Sequence, residues 1–516
     1  MPEEDAVELI NWIPDVGGLK SRKGFKEWAI DFPSDNAVQA VFPYYAPSTT
    51  FPAGTFTSAP TTMPGKLYAA TKAAIYEITS ATNTPTSVLA LSGTDNAGWI
   101  QTALMTNSAG SYLMCCSEDD GYIRYDGTTW AAVTMGAGAG QVSGVNPNTF
   151  VQVLIWKKRA WFVERNTTRA WYLPTESIAG AAVSFDFGAV LRSGGHLSFL
   201  ASWTIDAGEG IDDILVAVGS NGDVALYKGT DPSSPSTFSL QGVWNVGQIP
   251  VGRRAYTQYG GDLIIASADG IFPLSFVTRG GAAALQASSK EYSSKIRARI
   301  GPALKNTFTT RGWDMLVHPG ERLMLINVPY TGPYKNVQYA MNTTLNSWCQ
   351  LQDIPTYCYG TTGGYVFAGT TDGRVLLLFQ GDYDAVEYGA TTGYPIYGTV
   401  QQAFNTFKSP ALTKLFHLVR PQFLADLAPT YIVNMGVDYE RVALTEYPPT
   451  PTGSLARFGT GVFGTALWGT SSGSYSGDWV GSPGVGVSGS VALNTACIGE
   501  ATLTAIDYAF ETGGPM

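Results

Sequence analysis

The chain has 516 residues and a formal net charge of −10, with 31 Lys and Arg against 41 Asp and Glu. Its 59 glycines and 29 prolines, with only 14% charged residues against a typical level of about 25%, exclude long solvated helices and coiled coils. Aromatic residues at 12% exclude a disordered chain and suit aromatic-rich strands, while the acidic balance supplies no overall field for gripping phosphate.

The amino-terminal MPEEDAVELINW is acidic and lacks both a basic n-region and an apolar h-region, so no secretory signal is expected. No apolar run approaches the length of a membrane span. The expectation is a soluble protein made in a cytoplasm, without membrane insertion. The glycosylation-like tripeptides at Asn166 and Asn342 carry no weight in that setting.

From Gly65 onward a strand-turn-strand pattern returns along the chain. The copies in order are GKLYAATKAAIYEIT from Gly65, GSYLMCCSEDDGYIRYDG from Gly110, KRAWFVERNTTRAWYLP from Lys158, DDILVAVGSNGDVALYKG from Asp212, GGDLIIASADGIFPLS from Gly260, ERLMLINVPYTGPYKNVQYAMN from Glu321 and GGYVFAGTTDGRVLLLF from Gly363. In the clear copies, β-branched and aromatic residues run into a turn pair: Asp120-Gly121, Asn221-Gly222, Asp269-Gly270 or Asp372-Gly373. These pairs tolerate positive φ and so make tight hairpin turns.

With Leu67, Tyr112, Ala160, Ile214, Leu263, Leu323 and Tyr365 as anchors, the intervals are 45, 48, 54, 49, 60 and 42 residues. A hairpin-rich period of roughly 40 to 50 residues is that of four-stranded propeller blades. The predicted fold is all-β, with a β-propeller of about seven blades. FSLQGVWNVG up to Gly247 and NTTLNSWCQLQDI up to Ile354 are expected as outer blade strands.

One segment breaks the β pattern. SSKEYSSKIRARIG from Ser288 places Tyr292, Ile296 and Ile300 at i, i+4 and i+8 behind a Ser288-to-Glu291 capping box, which predicts a short helix over 288–300. Its basic residues Lys290, Lys295, Arg297 and Arg299 are read as a solvated or subunit-facing side, because the acidic chain opposes a nucleic-acid patch.

After Phe379 the hairpin period stops. Extended segments over 395–440 begin a second β domain of sandwich or barrel-like form, a platform for the propeller. From Tyr447 to Asp478 the composition shifts to Gly, Ser, Thr, Pro and spaced aromatics, read as an aromatic-pinned loop. VGVSGSVALNTACIGEATLTAIDYAFETGG then supplies a final pair of strands. The chain thus divides into an amino-terminal arm over 1–50 packing on the platform, a propeller over 51–394 and a carboxy-terminal β domain over 395–516.

Motifs of chemistry are weak. Cys115, Cys116, Cys349, Cys358 and Cys497 form no CxxC pair and are read as reduced, buried small hydrophobes. His196, His318 and His417 lie far apart without HExxH or HxH spacing, so they are read as structural residues, with no metal site or cofactor expected. GTGVFG over 459–464 matches a dinucleotide fingerprint but lacks the strand and helix that motif needs. GTSSG around Ser471 matches a nucleophile elbow, yet no histidine follows His417. DAGEGIDD, with Asp206, Glu209, Asp212 and Asp213, has acidic residues without EF-hand spacing. No catalytic residue is nominated and no enzymatic activity is expected.

The segment from Val7 to Ala29, VELINWIPDVGGLKSRKGFKEWA, carries Asn11, Trp12, Pro14, Gly17, Gly18, Arg22, Gly24 and Phe25. It resembles the opening of the tail nozzle proteins of short-tailed phages, also called tubular tail protein B or phage stabilization proteins. Further matches follow in order: Lys295-Ile296, the SWCQ segment at Trp348, the FAGTTDGRV hairpin at Phe367, the VRP strand ending at Pro421, and Trp468 and Trp479 before an acidic-Gly-Gly end. The resemblance implies a non-enzymatic virion protein. Six copies would form a homo-hexameric ring below the adaptor and portal and touch other tail components such as a fibre or needle. That ring would pass double-stranded DNA without specific binding and close the channel until infection. An acidic wall fits this role, since it offers phosphates no counterion-releasing contacts, and cyclic closure needs heterologous contacts between subunits. The competing readings are a propeller adhesin binding carbohydrate, which the divergent blades disfavour, and a polysaccharide-degrading tail hydrolase, which needs a central pair of carboxylates.

Overall fold

The structure is a computed structural model, and it describes residues 5–33, 37–49, 60–206, 211–278, 292–329, 337–425, 427–440, 446–451 and 474–515. The chain folds as two compact units. One comprises Trp28–Val337 and Ile354–Leu376; the other comprises Met1–Glu27, Gln338–Asp353 and Leu377–Met516.

The first unit is a β-propeller. Blade one is Ala40–Tyr44, Lys66–Ala70, Ala74–Glu77 and Thr86–Ala90; blade two is Ile100–Asn107, Gly110–Ser117, Gly121–Tyr125 and Trp130–Ala132. Blade three is Phe150–Trp156, Arg159–Glu164, Arg169–Tyr172 and Val183–Asp186; blade four is Leu197–Asp206, Ile211–Gly219, Asp223–Gly229 and Phe238–Asn245. Blade five has three strands among the described residues, Tyr256–Tyr259, Asp262–Ser267 and Gly270–Pro273. Blade six contributes Asp314–His318 and Leu323–Val328. Blade seven is Thr356–Thr362, Tyr365–Thr370 and Val375–Leu378, completed by the end of the strand Phe25–Ala29.

The first strand of each blade packs against the first or second strand of the next, and Thr356–Thr362 returns to Ala40–Tyr44, which closes the ring. Every anchor chosen from the sequence falls in the second strand of its blade. In four of the blades that strand leads into an Asp-Gly or Asn-Gly turn, so it carries the strongest local signal.

Blade interfaces are filled largely by aromatic rings, because a blade is apolar on both faces and buries them only against its neighbours. Tyr44, Tyr68, Tyr125 and Trp130 fill the layer between blades one and two, and Phe150 stacks on Phe162 at 4.5 Å between blades two and three. Trp156, Trp161, Tyr227 and Phe238 fill the next layer. Each phenyl ring so buried contributes about 1.5–3 kcal/mol. Ring closure is tied by Trp28, whose indole meets Phe367 of blade seven edge-on at 5.2 Å while its Nε1 donates to Ile78 O, just beyond blade one's third strand.

The second unit is a two-sheet sandwich. In one sheet Ala6–Ile10 lies between Ser347–Leu351, parallel at Ile10↔Gln350, and Ile396–Gln402, antiparallel at Ile10↔Thr399. Gly489–Cys497 and Thr430–Val437 extend it on one side and Val337–Asn342 on the other. The facing sheet is built on Leu412–Ala425 and Ala501–Pro515, joined by Trp12–Asp15, Gly18–Ser21, Ser474–Ser476 and Val480–Gly486. Trp12, Val400, Val419, Phe423, Val433, Val491, Leu493 and Leu503 form the core between them.

Two expectations are corrected in detail. The units do not follow 1–50, 51–394 and 395–516: propeller strands begin at Ala40, and the sandwich takes in 1–27 and 338–353. NTTLNSWCQLQDI supplies Ser347–Leu351, paired antiparallel with Val337–Asn342. The helix spans Arg297–Thr307 instead of 288–300, continuing past Gly301-Pro302 because Ile300, Leu304 and Thr307 are buried. Such packing outweighs the local cost of a Gly-Pro pair. The capping box lies outside the described residues.

Gly222 adopts φ +89°, and an added Cβ would fall 2.0 Å from Gly247 O, whereas Gly93 at φ +81° has open space around it. Both Gly→Ala variants incur the left-handed backbone cost, about 1–2 kcal/mol. Gly222→Ala is expected to lower thermal stability by clearly more than Gly93→Ala in calorimetry. Equal losses would show that the turn does not depend on that close approach.

Candidate functional site

The amino-terminal motif is a buried polar knot within the sandwich unit. Asn11, at φ +60°, is 1% exposed. Its Nδ2 donates to Tyr397 O at 2.7 Å, and its Oδ1 accepts from Arg22 Nε and Gln352 N, each at 2.9 Å. Arg22 is fully buried and forks onto Asp384 at 2.6 and 2.5 Å while Nη2 reaches Gln352 O. Trp12 Nε1 donates to Thr495 Oγ1 at 3.0 Å. A few side chains thus fasten all three chain stretches that build this unit.

The remaining motif residues shape the backbone. Pro14 pairs with Leu19 across a hairpin whose loop is Val16 and Gly17, and Gly18 at φ +142° leaves no room for a Cβ beside Leu503 O. Gly24 passes so close to Tyr383 that a Cβ would lie 1.7 Å from its carbonyl oxygen. Phe25 is buried, its N–H donating to Tyr383 O.

Two of the turn pairs hold the loops that enter their blades, and two brace their own turns. Asp120 accepts from Ser92 N at 2.9 Å, and Asn221 donates to Ser193 O at 2.9 Å. Asp372 accepts from Thr370 and Arg374; burial opposes its charge, yet these donors hold its carboxyl below the usual range. Asp269 donates its backbone N–H to Ser267 Oγ, and the same hydroxyl donates to Val246 O. Gly121, Gly222, Gly270 and Gly373 all have positive φ.

A second cluster, which the sequence analysis missed, lies where first strands of the propeller converge. Arg253 and Arg254 precede blade five. Arg254 lies 4.0 Å over the Trp99 ring and donates to Gln39 O at 2.9 Å and Ile100 O at 2.8 Å, the entries to blades one and two. It also faces Asp314 of blade six at 3.7 Å, and Asp314 accepts from Tyr359 N of blade seven. Arg253, at φ +63°, pairs with Glu118 of blade two at 2.6 Å and donates to Leu197 O and Ser198 O of blade four. Arg311 faces Glu118 at 3.4 Å. Gln152 of blade three exchanges two bonds with the Leu200 backbone. The only local signal was the Gly252-Arg253-Arg254 run; its partners are far away in sequence.

Burial opposes ionisation of Glu118, but Arg253 and Arg311 overcome it and hold the carboxyl below its usual range. Burial dominates at Asp314, against Arg254 and the Tyr359 and Met315 N–H groups, and pushes it up to about 6. His196 is pushed down by burial and by Arg253, against Glu118, which favours the neutral imidazole. The cluster can lock blades together electrostatically; its strong donors and acceptors are committed to one another.

Other candidates scatter. All five cysteines are free and buried. His318 ends its blade-six strand, while His417 lies on the sandwich and faces Glu511 at 3.7 Å. Among the described residues there is no group of three metal-ligating side chains and no helix long and apolar enough to cross a membrane. GTGVFG, GTSSG with Ser471, and Glu209 lie outside the described residues.

No protein-family model matches the chain, and no curated protein does. Among solved structures, the computationally designed Ika8 protein is similar at 8% identity, over 68% of this chain and 99% of that one, with a TM-score of 0.34. Raptor of Chaetomium thermophilum is similar at 11% identity over 69% and 29%, with a TM-score of 0.38. BBS1N in complex with ARL6DN is similar at 13% identity over 47% and 64%, with a TM-score of 0.28. Values this low carry no functional argument.

Two tests follow. Asp384→Ala leaves Arg22 charged, buried and unpaired, which costs about 3–5 kcal/mol; Arg22→Met with Asp384→Leu removes both charges and is expected to cost much less. Equal losses in calorimetry would contradict the pair's role. For Asp314 the folded value lies above the ordinary one, so its stabilising contribution is full below about pH 4 and is lost as pH rises through about 6, a change of about 3 kcal/mol. Asp314→Asn removes that slope; a variant whose stability falls between pH 4 and 6 as steeply as the wild type's would overturn the assignment.

Proposed function

We propose that this chain is a non-enzymatic structural protein of a short-tailed phage virion, the subunit of a six-membered tail nozzle. In this reading six copies continue the DNA channel below the adaptor and hold it closed until infection. The observation that carries the reading is the Asn11-Trp12-Pro14-Gly17-Gly18-Arg22-Gly24-Phe25 motif, which resembles the family's opening. Its residues serve packing and turns, as the subunit of a rigid wall requires.

Two further features support it. A ring-closed propeller locked by buried arginines deforms little under load, because its interior is close-packed. A chain of net charge −10 offers a passing duplex few cationic contacts, each of which would add to salt-dependent retention.

The test is genetic and biochemical. Particles assembled without this protein are expected to package DNA and then lose it, and the purified chain added back is expected to restore retention. Particles that keep their DNA and lose only binding to, or cleavage of, a surface polysaccharide would overturn the nozzle reading in favour of an adhesin or hydrolase.

A further inference from the structure

The outward face of the sandwich sheet built on Leu412–Ala425 carries an aromatic and polar cluster that the core of the unit does not use. Along that strand Val419, Pro421 and Phe423 are buried, so Leu418, Arg420, Gln422 and Leu424 alternate onto the opposite face. Arg420 stands directly across from Asp507 of the neighbouring strand Ala501–Pro515. On the other side Val480 packs toward the core, while Trp479 before it is 44% exposed. An added Cβ at Gly481, opposite Leu418, would meet nothing within 4 Å, so the surface beside that leucine is open.

These groups fix one another and leave particular atoms unused. Asp507 Oδ2 accepts from Arg420 Nε at 3.0 Å, from Arg420 Nη2 at 2.7 Å and from Gln422 Nε2 at 2.7 Å. Arg420 also lies 4.8 Å over the Trp479 ring. Both charges are thus committed to each other. The Arg420 and Gln422 bonds hold the Asp507 carboxyl below its usual range, so both its oxygens are acceptors at neutral pH. Among the described residues, Asp507 Oδ1 and Gln422 Oε1 remain as acceptors without a bond, and Arg420 Nη1 and Trp479 Nε1 as donors without one.

We infer that this face is a binding site for a neutral saccharide. Two acceptors and two donors held around one indole match sugar hydroxyls, each of which both donates and accepts. The C–H face of a pyranose ring covers the indole, with Leu418 extending the apolar surface. Because the Arg420–Asp507 pair sums to zero, neither a phosphate nor an ammonium group finds an unpaired countercharge. The pair also restrains both side chains beforehand, which reduces the ordering needed on binding. A sheet face encloses less of its ligand than a pocket does, so one pyranose binds weakly, with a Kd of about 1–10 mM. The site goes beyond the nozzle reading and does not depend on it; several copies in one particle would add avidity of about 10²–10⁴.

The test titrates the full-length chain with methyl α-glucopyranoside, methyl α-galactopyranoside and methyl α-mannopyranoside in saturation-transfer NMR. At least one is expected to take saturation through its ring C–H protons, with an affinity little changed between about 50 and about 500 mM salt. Trp479→Ala is expected to weaken that binding at least about tenfold and Gln422→Ala severalfold, both with unchanged melting temperatures. Saturation of none of the three probes, or wild-type affinity in both variants, would overturn the inference. So would tighter binding of glucose 6-phosphate than of methyl α-glucopyranoside, since the face would then take a charged group. Saccharide binding by a chain whose removal leaves DNA in the particle supports this site and counts against the nozzle; DNA leakage from particles lacking a chain that ignores all three probes does the reverse.

Discussion

A small twisted sheet with two apolar faces cannot be stable by itself, and the propeller follows from that constraint. Each blade must find a neighbour on both sides, so the array is stable only when the last blade meets the first. Here closure uses the end of the strand Phe25–Ala29, with Trp28 between Phe367 and Ile78. The apolar layers are non-directional; direction comes from Arg253 and Arg254, whose guanidinium groups each satisfy carbonyls and a carboxylate on several blades. Buried charges of this kind are costly unless fully paired, and so they penalise any closure with the wrong spacing.

The sandwich uses the same physics for a different problem. Its sheets are assembled from three separated stretches of chain, and Asn11, Arg22 and Asp384 make their docking all-or-none. Removing any one of these groups strands a polar partner away from water. The aliphatic and aromatic core around Trp12, Phe423 and Leu493 supplies burial, while the knot supplies register.

Much of the propeller was legible because its second strands announce themselves locally: those of Tyr112, Ile214, Leu263 and Tyr365 precede Asp-Gly or Asn-Gly turns whose chemistry is short-range. The fifth blade was less so. Its helix was expected too early, since Tyr292 and Ile296 fit a helical spacing while the burial of Leu304 and Thr307 is a tertiary fact. The sandwich boundaries were hidden because Ile10 pairs with Gln350 and Thr399, partners that no window of sequence can connect. Arg22 was flagged by resemblance and Arg254 was not, although both tie carbonyls and a carboxylate from distant parts of the chain. Nothing in Gly252-Arg253-Arg254 reports the distant Gln39, Glu118 or Asp314.

The proposed conduit reading joins these features: locked blades give a stiff wall, and a net charge of −10 offers DNA little to adhere to. The most direct measurement is a cryo-electron microscopy reconstruction of the tail of the phage particle to which the proposed reading assigns this chain. The account predicts six copies around the tail axis below the adaptor, enclosing the DNA path. Density for this chain found only in peripheral fibres, or no density for it in the particle, would contradict it.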